Sequence, residues 1–157
     1  MSPWLLGATA VACLVVGGIF YGFSSFIMPA LGRIPAEEGI HAMQRINVDV
    51  YHWTFMAAFM GTPLACIAIA VQAIRGSLDQ AAVYALAGCL VYVVGNFVVT
   101  AAGNVPLNKA LALVDPGSAD AVQTWSHYLV YWTRWNHVRT AASIVAAALL
   151  LVALRLG

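Results

Sequence analysis

The sequence predicts an all-α integral membrane protein that forms an up-down four-helix bundle, with helices 2 and 4 extended beyond the bilayer at one face. Two observations predict this class. Of the 157 residues, 62% are hydrophobic and only 8% are charged, whereas a soluble domain normally carries about 25% charge. The apolar residues also form four segments that each provide the roughly 20 residues needed to cross a bilayer. We expect one transmembrane domain over residues 1–157, with spans at about 4–31, 48–74, 81–103 and 138–154.

Composition also limits the classes of partner. A net charge of +1 provides no basic stripe, which argues against nucleic acid. The three cysteines, Cys13, Cys66 and Cys89, lie inside apolar segments and show no C-x-x-C spacing. We therefore predict that they are small packing residues rather than disulfides or metal ligands.

The first predicted helix contains a pattern of small residues. Gly18 and Gly22 are separated by three positions, which is typical of helices that approach closely in membranes. We expect this pattern to serve packing inside one bundle, and it also allows a homodimer.

The second predicted helix begins outside the hydrocarbon, near Ala36, and continues into it. Glu37 and Glu38 favour this start, because acidic residues stabilise the first turn of a helix. Two polar lines follow on adjacent sides of the helix. One holds His41, Arg45, Asp49 and His52, and the other holds Gln44, Asn47 and Tyr51.

The first of these lines has two interpretations. Asp49 is close enough to His52 for a carboxylate to orient an imidazole, as a general base requires. The alternative is a solvated helix start with ion pairing along one face. A metal ion shared by His41 and His52 is excluded, because eleven residues of helix separate them by about 16 Å.

The third predicted helix carries Asn96, Thr100 and Asn104 at steps of four. Amides at membrane depth need hydrogen-bond partners, so this line should face the bundle interior. Pro106 then predicts a break or kink between Asn104 and Asn108. Such a break would aim two amides across one end of the bundle, and a capped helix end is the alternative.

The fourth predicted helix follows a linker at 109–124 and begins well before its span. A helical projection divides its first half into two faces. One face holds Tyr128, Trp132, Trp135, Asn136, Arg139, Thr140 and Ser143, and the other holds His127, Tyr131, Arg134 and His137. Arg139 is a functional-site candidate, because an arginine entering hydrocarbon is costly unless it finds a partner or water.

All of these polar groups belong to one end of an up-down bundle. The sequence therefore predicts a polar pocket that is capped by aromatic residues and opens toward one leaflet. Five of the seven Lys and Arg residues lie at this end, which favours the cytoplasmic face. Without the candidate site residues Arg45, Arg134 and Arg139, the two ends carry two basic residues each.

Four blocks of sequence together carry a resemblance to a known family. They are A-M-Q-R-I-N at 42–47, F-M-G-T at 59–62, G-N-F-V-V-T-A-A-G-N-V-P-L-N at 95–108 and W-T-R-W-N-H-V-R-T at 132–140. From about residue 17 to residue 153, the chain resembles the anthrone oxygenase-like family of small integral membrane proteins. Fungal members are associated with oxidising anthrones to anthraquinones, using dioxygen and no organic cofactor.

The resemblance implies an oxygenase-like protein of a bacterial plasma membrane. Its substrate would be a small lipophilic phenol or anthrone, and its reaction with dioxygen would begin with base-assisted carbanion formation. No cofactor and no metal site are predicted. The family pattern matches Gln44, Asn47, Asn104, Pro106, Asn108, Trp135, Asn136, His137, Arg139 and Thr140.

The implied catalytic residues are His137 as general base and Arg139 as the charge that stabilises an oxyanion. On an ideal helix, however, His137 projects about 160° away from Arg139. Apart from Pro106, the remaining matched residues and Trp132 are predicted to bind substrate through amides, a hydroxyl or aromatic rings. They are Gln44, Asn47, Asn104, Asn108, Trp132, Trp135, Asn136 and Thr140. Secondary candidates are His41, Arg45, Asp49, His52, His127 and Arg134.

Two alternatives remain at this stage. One is a metal- or haem-dependent membrane enzyme, because the four histidines lie at one membrane end. The other is a non-catalytic protein that binds or transports a lipophile.

Overall fold

The computed structural model describes residues 1–157 and contains five helices and no strands. The helices are α1 (Pro3–Leu31), α2 (Ala36–Asp49), α3 (Trp53–Arg75), α4 (Gln80–Ala112) and α5 (Ala121–Leu156). All except α2 are long and apolar enough to cross a membrane. The predicted all-α, four-span class is therefore confirmed, and the four apolar helices indicate an integral membrane protein.

The second predicted helix is two helices in the structure. It begins at Ala36 as expected, but α2 ends at Asp49 and α3 begins at Trp53. The backbone leaves the helical region at His52, whose Nδ1 accepts a hydrogen bond from the backbone N–H of Thr54 at 3.4 Å. A new helix start is thus stabilised by a local cap. The predicted extension of this span is therefore the separate helix α2, and His52 is not on the same helix as His41.

Of the break or kink predicted near Pro106, the break is absent, because α4 continues past the proline. Two π-helical turns, Val93–Val98 and Thr100–Asn104, precede the proline. Pro106 then lies in the first turn of the α-helical segment Val105–Ala112. Proline is tolerated in a first turn, and the change from π to α winding creates such a turn inside a continuous helix.

The lower tier, which we call the membrane body, is an apolar core formed by α1, α3, α4 and α5. Its buried residues include Cys13, Cys66 and Cys89, all with free thiols, as predicted for packing residues. Helix α1 approaches α5 closely at Gly17, where a Cβ atom would lie 2.9 Å from the Cβ of Ser143. The expectation that Gly18 packs inside the bundle is wrong, because it faces open space.

The upper tier, which we call the head, is built by the end of α1, the whole of α2, the end of α4 and the start of α5. Its buried residues are Met28, Ile40, Met43, Leu111, Ala121, Trp125, Tyr128 and Trp132. Helix α5 has 36 residues, or about 54 Å at 1.5 Å per residue. This length is nearly twice the roughly 30 Å of hydrocarbon, so α5 extends beyond a bilayer at the head, as predicted.

Candidate functional site

A cavity of about 160 Å³ lies where the head meets the membrane body. All five helices line it, together with the segment between α2 and α3. The lining residues are Ile19, Phe20, Phe23, Met43, Ile46, Asn47, Val50, Tyr51, Phe55, Met56, Phe59, Thr100, Val105, Asn108, Trp132 and Arg139. Two of them, Ile19 and Tyr51, are 38% and 68% exposed and mark its open side. The walls are thus mostly apolar and aromatic, with few polar groups.

Arg139 is the only basic residue in the lining, and it is 4% exposed. Its Nη2 donates to Oδ1 of Asn136 at 2.6 Å, and its Nη1 donates to Oγ1 of Thr100 at 3.3 Å. The guanidinium carbon lies 4.0 Å from the ring centroid of Phe20 and 5.1 Å from that of Trp132. The third guanidinium nitrogen, Nε, is buried and has no partner.

No carboxylate neutralises this arginine. The one ion pair in the structure joins Arg45 to Asp49 on the exposed surface of α2. A buried charge without a counter-ion is costly, and cation–π contacts with two rings offset only part of that cost. The protein therefore maintains a positive charge at the cavity that its own residues do not balance.

Asn136 fixes the position of the guanidinium. Its Nδ2 donates to the carbonyl oxygen of Phe20 at 2.6 Å and to Oγ of Ser24 at 2.7 Å, so its Oδ1 must face Arg139. Ser24 lies in the π-helical turn Phe23–Ile27 of α1, and Thr100 lies in a π-helical turn of α4. Two such turns flank Arg139, and π-helical turns occur frequently at functional sites.

A second polar group is built around Asn108. Its Oδ1 accepts hydrogen bonds from Tyr128 Oη at 2.8 Å and from Trp132 Nε1 at 2.7 Å, and Asn47 Nδ2 donates to the same tyrosine at 3.4 Å. An indole N–H can only donate, so the amide oxygen of Asn108 must face Trp132. Its Nδ2 has no hydrogen-bond partner in the protein, and Asn108 lines the cavity.

Several predicted substrate-binding residues have structural contacts instead. Gln44 does not line the cavity, because its Nε2 donates to the carbonyl oxygens of Leu111 and Val114, both at 2.9 Å. Asn104 donates from Nδ2 to the carbonyl oxygen of Trp132 at 3.1 Å. These two amides join the helices of the head.

Trp135 and Thr140 also lie outside the cavity lining. Trp135 is 42% exposed and packs on Gly103, where a Cβ atom would lie 2.8 Å from the ring. Thr140 Oγ1 donates to the carbonyl oxygen of Asn136 within the same helix. Of the predicted substrate-binding residues, only Asn47, Asn108 and Trp132 line the cavity.

The structure does not bring His137 to Arg139. His137 is exposed, as are His127 and Arg134 on the same face of α5. The ring centroids of His127 and Tyr131 are 4.3 Å apart, and the guanidinium of Arg134 lies 5.4 Å from the centroid of Tyr131. No His, Asp or Glu lines the cavity, so the predicted general base has no access to it.

The polar line on α2 forms a solvated surface. Arg45 Nε donates to Asp49 Oδ2 at 2.9 Å, and both side chains are mostly exposed. The predicted Asp49–His52 pair is therefore wrong, because His52 instead caps α3 and Asp49 is engaged by Arg45. No group of three or more His, Cys, Asp or Glu side chains is placed to hold a metal ion.

The aromatic walls of the cavity were not predicted from the sequence. Phe55 and Phe59 stack with ring centroids 5.5 Å apart, and Phe20 meets both rings edge-on. The signal was present, since Phe55 and Phe59 are four residues apart and share one side of α3. In a membrane helix, however, that spacing is equally typical of a lipid-facing surface.

Comparison with known proteins gives one family match. The family model described as anthrone oxygenase matches residues 50–149, which is well over half of the chain. No curated protein and no solved structure matches the chain. The matched range contains the polar lining residues of α4 and α5, which are Thr100, Asn108 and Arg139. It also contains Trp132, which contacts both Asn108 and Arg139.

Proposed function

We propose a function for this chain, which belongs to the anthrone oxygenase family. It is a membrane-embedded oxygenase for a small lipophilic phenol or anthrone-type compound. The observation that carries the proposal is the buried, uncompensated guanidinium of Arg139 at the wall of an aromatic cavity. Such a charge stabilises the oxyanion that forms when a phenolic carbon acid loses a proton.

The proposed reaction balances without an external reductant. The substrate carbon loses a proton to give an enolate, which passes an electron to dioxygen and then combines with it to form a carbon–oxygen bond. Protonation gives a hydroperoxide on that carbon. Loss of the second C–H proton breaks the O–O bond and releases water. One methylene group and one dioxygen molecule therefore yield one carbonyl group and one water molecule.

Arg139, Asn108 and the aromatic walls have separate roles in this proposal. Arg139 stabilises the enolate oxygen as a fixed charge, and Asn108 Nδ2 donates to a second oxygen of the substrate. Phe20 and Trp132 contact the substrate rings and exclude water. The proton leaves to water at the open side near Tyr51, because no lining carboxylate or imidazole can accept it.

The size of the cavity limits the substrate. An engineered protein cavity of about 150 Å³ binds benzene, and the cavity here is about 160 Å³. The enclosed part therefore holds about one aromatic ring. An anthrone reacts at a carbon of its central ring, so that ring would lie inside and the outer rings would extend through the open side.

The test is oxygen uptake by purified protein in lipid nanodiscs with 1,8-dihydroxyanthrone. We expect consumption of one dioxygen per anthrone and formation of the anthraquinone, which is followed by its visible absorption. The rate must exceed the spontaneous oxidation measured with empty nanodiscs. Uptake equal to that blank, across phenols of one to three rings, would contradict the proposal.

The same preparation separates the two alternatives. Binding of the anthrone without oxygen uptake would indicate a carrier rather than an enzyme. Oxygen uptake that is lost on treatment with chelator, together with bound metal or a haem absorption band, would indicate a cofactor-dependent enzyme. We prefer the cofactor-independent reaction, because all four histidines are exposed and none lines the cavity.

We further propose that the head lies on the cytoplasmic side of the plasma membrane. Four exposed basic residues lie at this end, and two lie at the other. They are Arg33, Arg45, Lys109 and Arg134 against Arg75 and Arg155. The three native cysteines are buried, so Ser118→Cys would introduce a single accessible thiol in the head. We expect a membrane-impermeant maleimide to label that thiol in intact cells only after permeabilisation, and labelling without permeabilisation would reverse the orientation.

A further inference from the structure

We infer that the cavity binds its ligand as an organic monoanion that carries two oxygens, the charged one on Arg139 and a second on Asn108 Nδ2. The inference rests on the proposed function only in taking the same cavity as the substrate site. It specifies the protonation state in which the ligand binds, which the oxygenase reaction alone leaves open.

The first argument is charge. Arg139 is buried among the rings of Phe20 and Trp132 with Nε unsatisfied and no carboxylate near it. Removing one partner from a buried ion pair is strongly destabilising, so a buried cation gains most from a ligand that restores the missing anion. A neutral ligand would leave that charge unbalanced and would also displace any water that solvates it.

The second argument is the inventory of hydrogen-bonding groups. The unused groups at Arg139 and Asn108 are N–H donors, since the amide oxygen of Asn108 already accepts from Tyr128 and Trp132. Trp132 lies between the two sites, with its Nε1 on Asn108 and its ring below the guanidinium. Arg139 and Asn108 both line the cavity and both contact Trp132. A planar ligand with an acceptor at each end matches this arrangement.

The third argument is the absence of a base in the lining. The only titratable groups near the guanidinium and the cavity, apart from Arg139 itself, are Tyr51 and Tyr128. The other polar and aromatic neighbours do not ionise. They are Phe20 and Ser24 from α1, Thr100 from α4, and Trp132 and Asn136 from α5. No carboxylate or imidazole lines the cavity, so its walls provide no general base. The protein therefore gains nothing by binding the neutral acid first, and it selects the conjugate base that forms in water at the open side.

The test uses a probe that dioxygen does not oxidise. 4-Nitrophenol has a phenol oxygen and a nitro group at opposite ends of one ring, and its anion absorbs visible light whereas its neutral form does not. The matched neutral ligand is 4-nitroanisole, which has the same ring and nitro group but cannot ionise. Both are titrated against the wild-type protein in lipid nanodiscs, with empty nanodiscs as the blank, at a pH where free nitrophenol is mainly protonated.

We expect nitrophenol to bind at least tenfold more tightly than nitroanisole. Binding should also generate the absorption of the anion and release a proton to the buffer. Equal affinities, or binding without the anion band, would overturn the inference on the wild-type protein alone, whether or not any variant folds.

Variants then locate the two contacts. Arg139→Gln should remove the anion band and weaken nitrophenol binding at least tenfold, while Arg139→Lys should retain the band because it keeps the charge. Asn108→Asp preserves the acceptor for Tyr128 and Trp132 but replaces the amide donor with a negative charge, and it should also weaken anion binding at least tenfold. Arg134→Gln removes a charge from the exposed face of α5 and should change neither value. If Arg139→Gln and Arg134→Gln behave alike, the anion is not on Arg139.

The outcomes for the two proposals are separable. Anion binding with no oxygen uptake from any phenol would refute the oxygenase and leave the anion site. Oxygen uptake with equal binding of phenol and ether would refute the anion site and leave the oxygenase.

Discussion

Helix α5 has two faces with similar polar side chains, of which one is buried and the other is exposed. One face contains Asn136 and Arg139, both buried and joined by a hydrogen bond of 2.6 Å. The other contains Arg134 and His137, both exposed. These four residues span less than two turns of one helix, so depth in the bilayer does not distinguish them. Their angle around the helix axis decides whether a charge becomes part of a cavity or of a surface.

The comparison shows that the position of a residue around the helix axis predicts this site better than its ability to bind or release a proton. A histidine two residues from the buried arginine is the base that the sequence suggests, yet its side chain leaves the helix on the other side. Substitutions on the buried face should therefore change activity and stability more than substitutions on the exposed face. Matched pairs of variants measure this difference.

The largest difference is expected in activity. Arg139→Gln should reduce the rate of anthrone-dependent oxygen uptake about 100-fold or more, because loss of a preorganised charge at an oxyanion typically has that effect. Arg134→Gln removes the same charge from the opposite face and should leave the rate within about twofold. The measurement is the initial rate of uptake in nanodiscs, and similar losses in both variants would end the distinction between the faces.

The next difference is expected in stability. Asn136→Leu removes a buried amide that joins Arg139 to Phe20 and Ser24, and we expect it to lower the free energy of unfolding by about 2–4 kcal/mol. The adjacent variant His137→Leu should change it by less than about 0.5 kcal/mol. Denaturant unfolding in mixed micelles, followed by circular dichroism, measures both. Comparable values would show that the amide network does not hold the helices together.

A smaller effect is expected at the margin between the faces, where Trp135 is partly buried. Gly103→Ala would place a Cβ atom 2.8 Å from the Trp135 ring, and overpacking of this kind costs about 1–3 kcal/mol. Gly18→Ala adds the same methyl group to a site with nothing within 4 Å and should not destabilise the protein. The same unfolding experiment distinguishes the two variants, and destabilisation by Gly18→Ala would reveal a neighbour that packs on α1.

The smallest effect is expected at His137 itself. His137→Gln should leave the rate of oxygen uptake within about twofold, because its side chain is exposed and does not line the cavity. A loss of 100-fold would restore His137 as the general base. It would also require the helix to rotate or the substrate to bind elsewhere.

The sequence was a sound guide wherever one physical rule dominated. Apolar length fixed the four spans, and helical periodicity placed Asn136 and Arg139 on one buried face. It failed where local hydrogen bonding competed with that periodicity. The His52 cap divides one predicted helix in two, and π-helical turns carry α4 through Pro106.

The amides show why the site itself could be predicted only in part. Gln44 and Asn108 both lie at the head and both match the family pattern, but Gln44 satisfies two carbonyls near the end of α4, whereas Asn108 keeps a donor for the cavity. Terminal helix carbonyls need such partners. Nothing in residue type or spacing distinguishes an amide that caps a neighbouring helix from one that meets a ligand.

The exposure of Ile19 has a consequence for how any activity must be quantified. This residue lines the cavity from the apolar span of α1, so we expect the entrance to border acyl chains at Ile19 and water at Tyr51. A lipophile would then arrive by lateral diffusion, and its relevant concentration is moles per mole of lipid rather than moles per litre of buffer. Adding empty liposomes at a fixed total amount of substrate should slow turnover by dilution in two dimensions, even though nothing in the aqueous phase has changed.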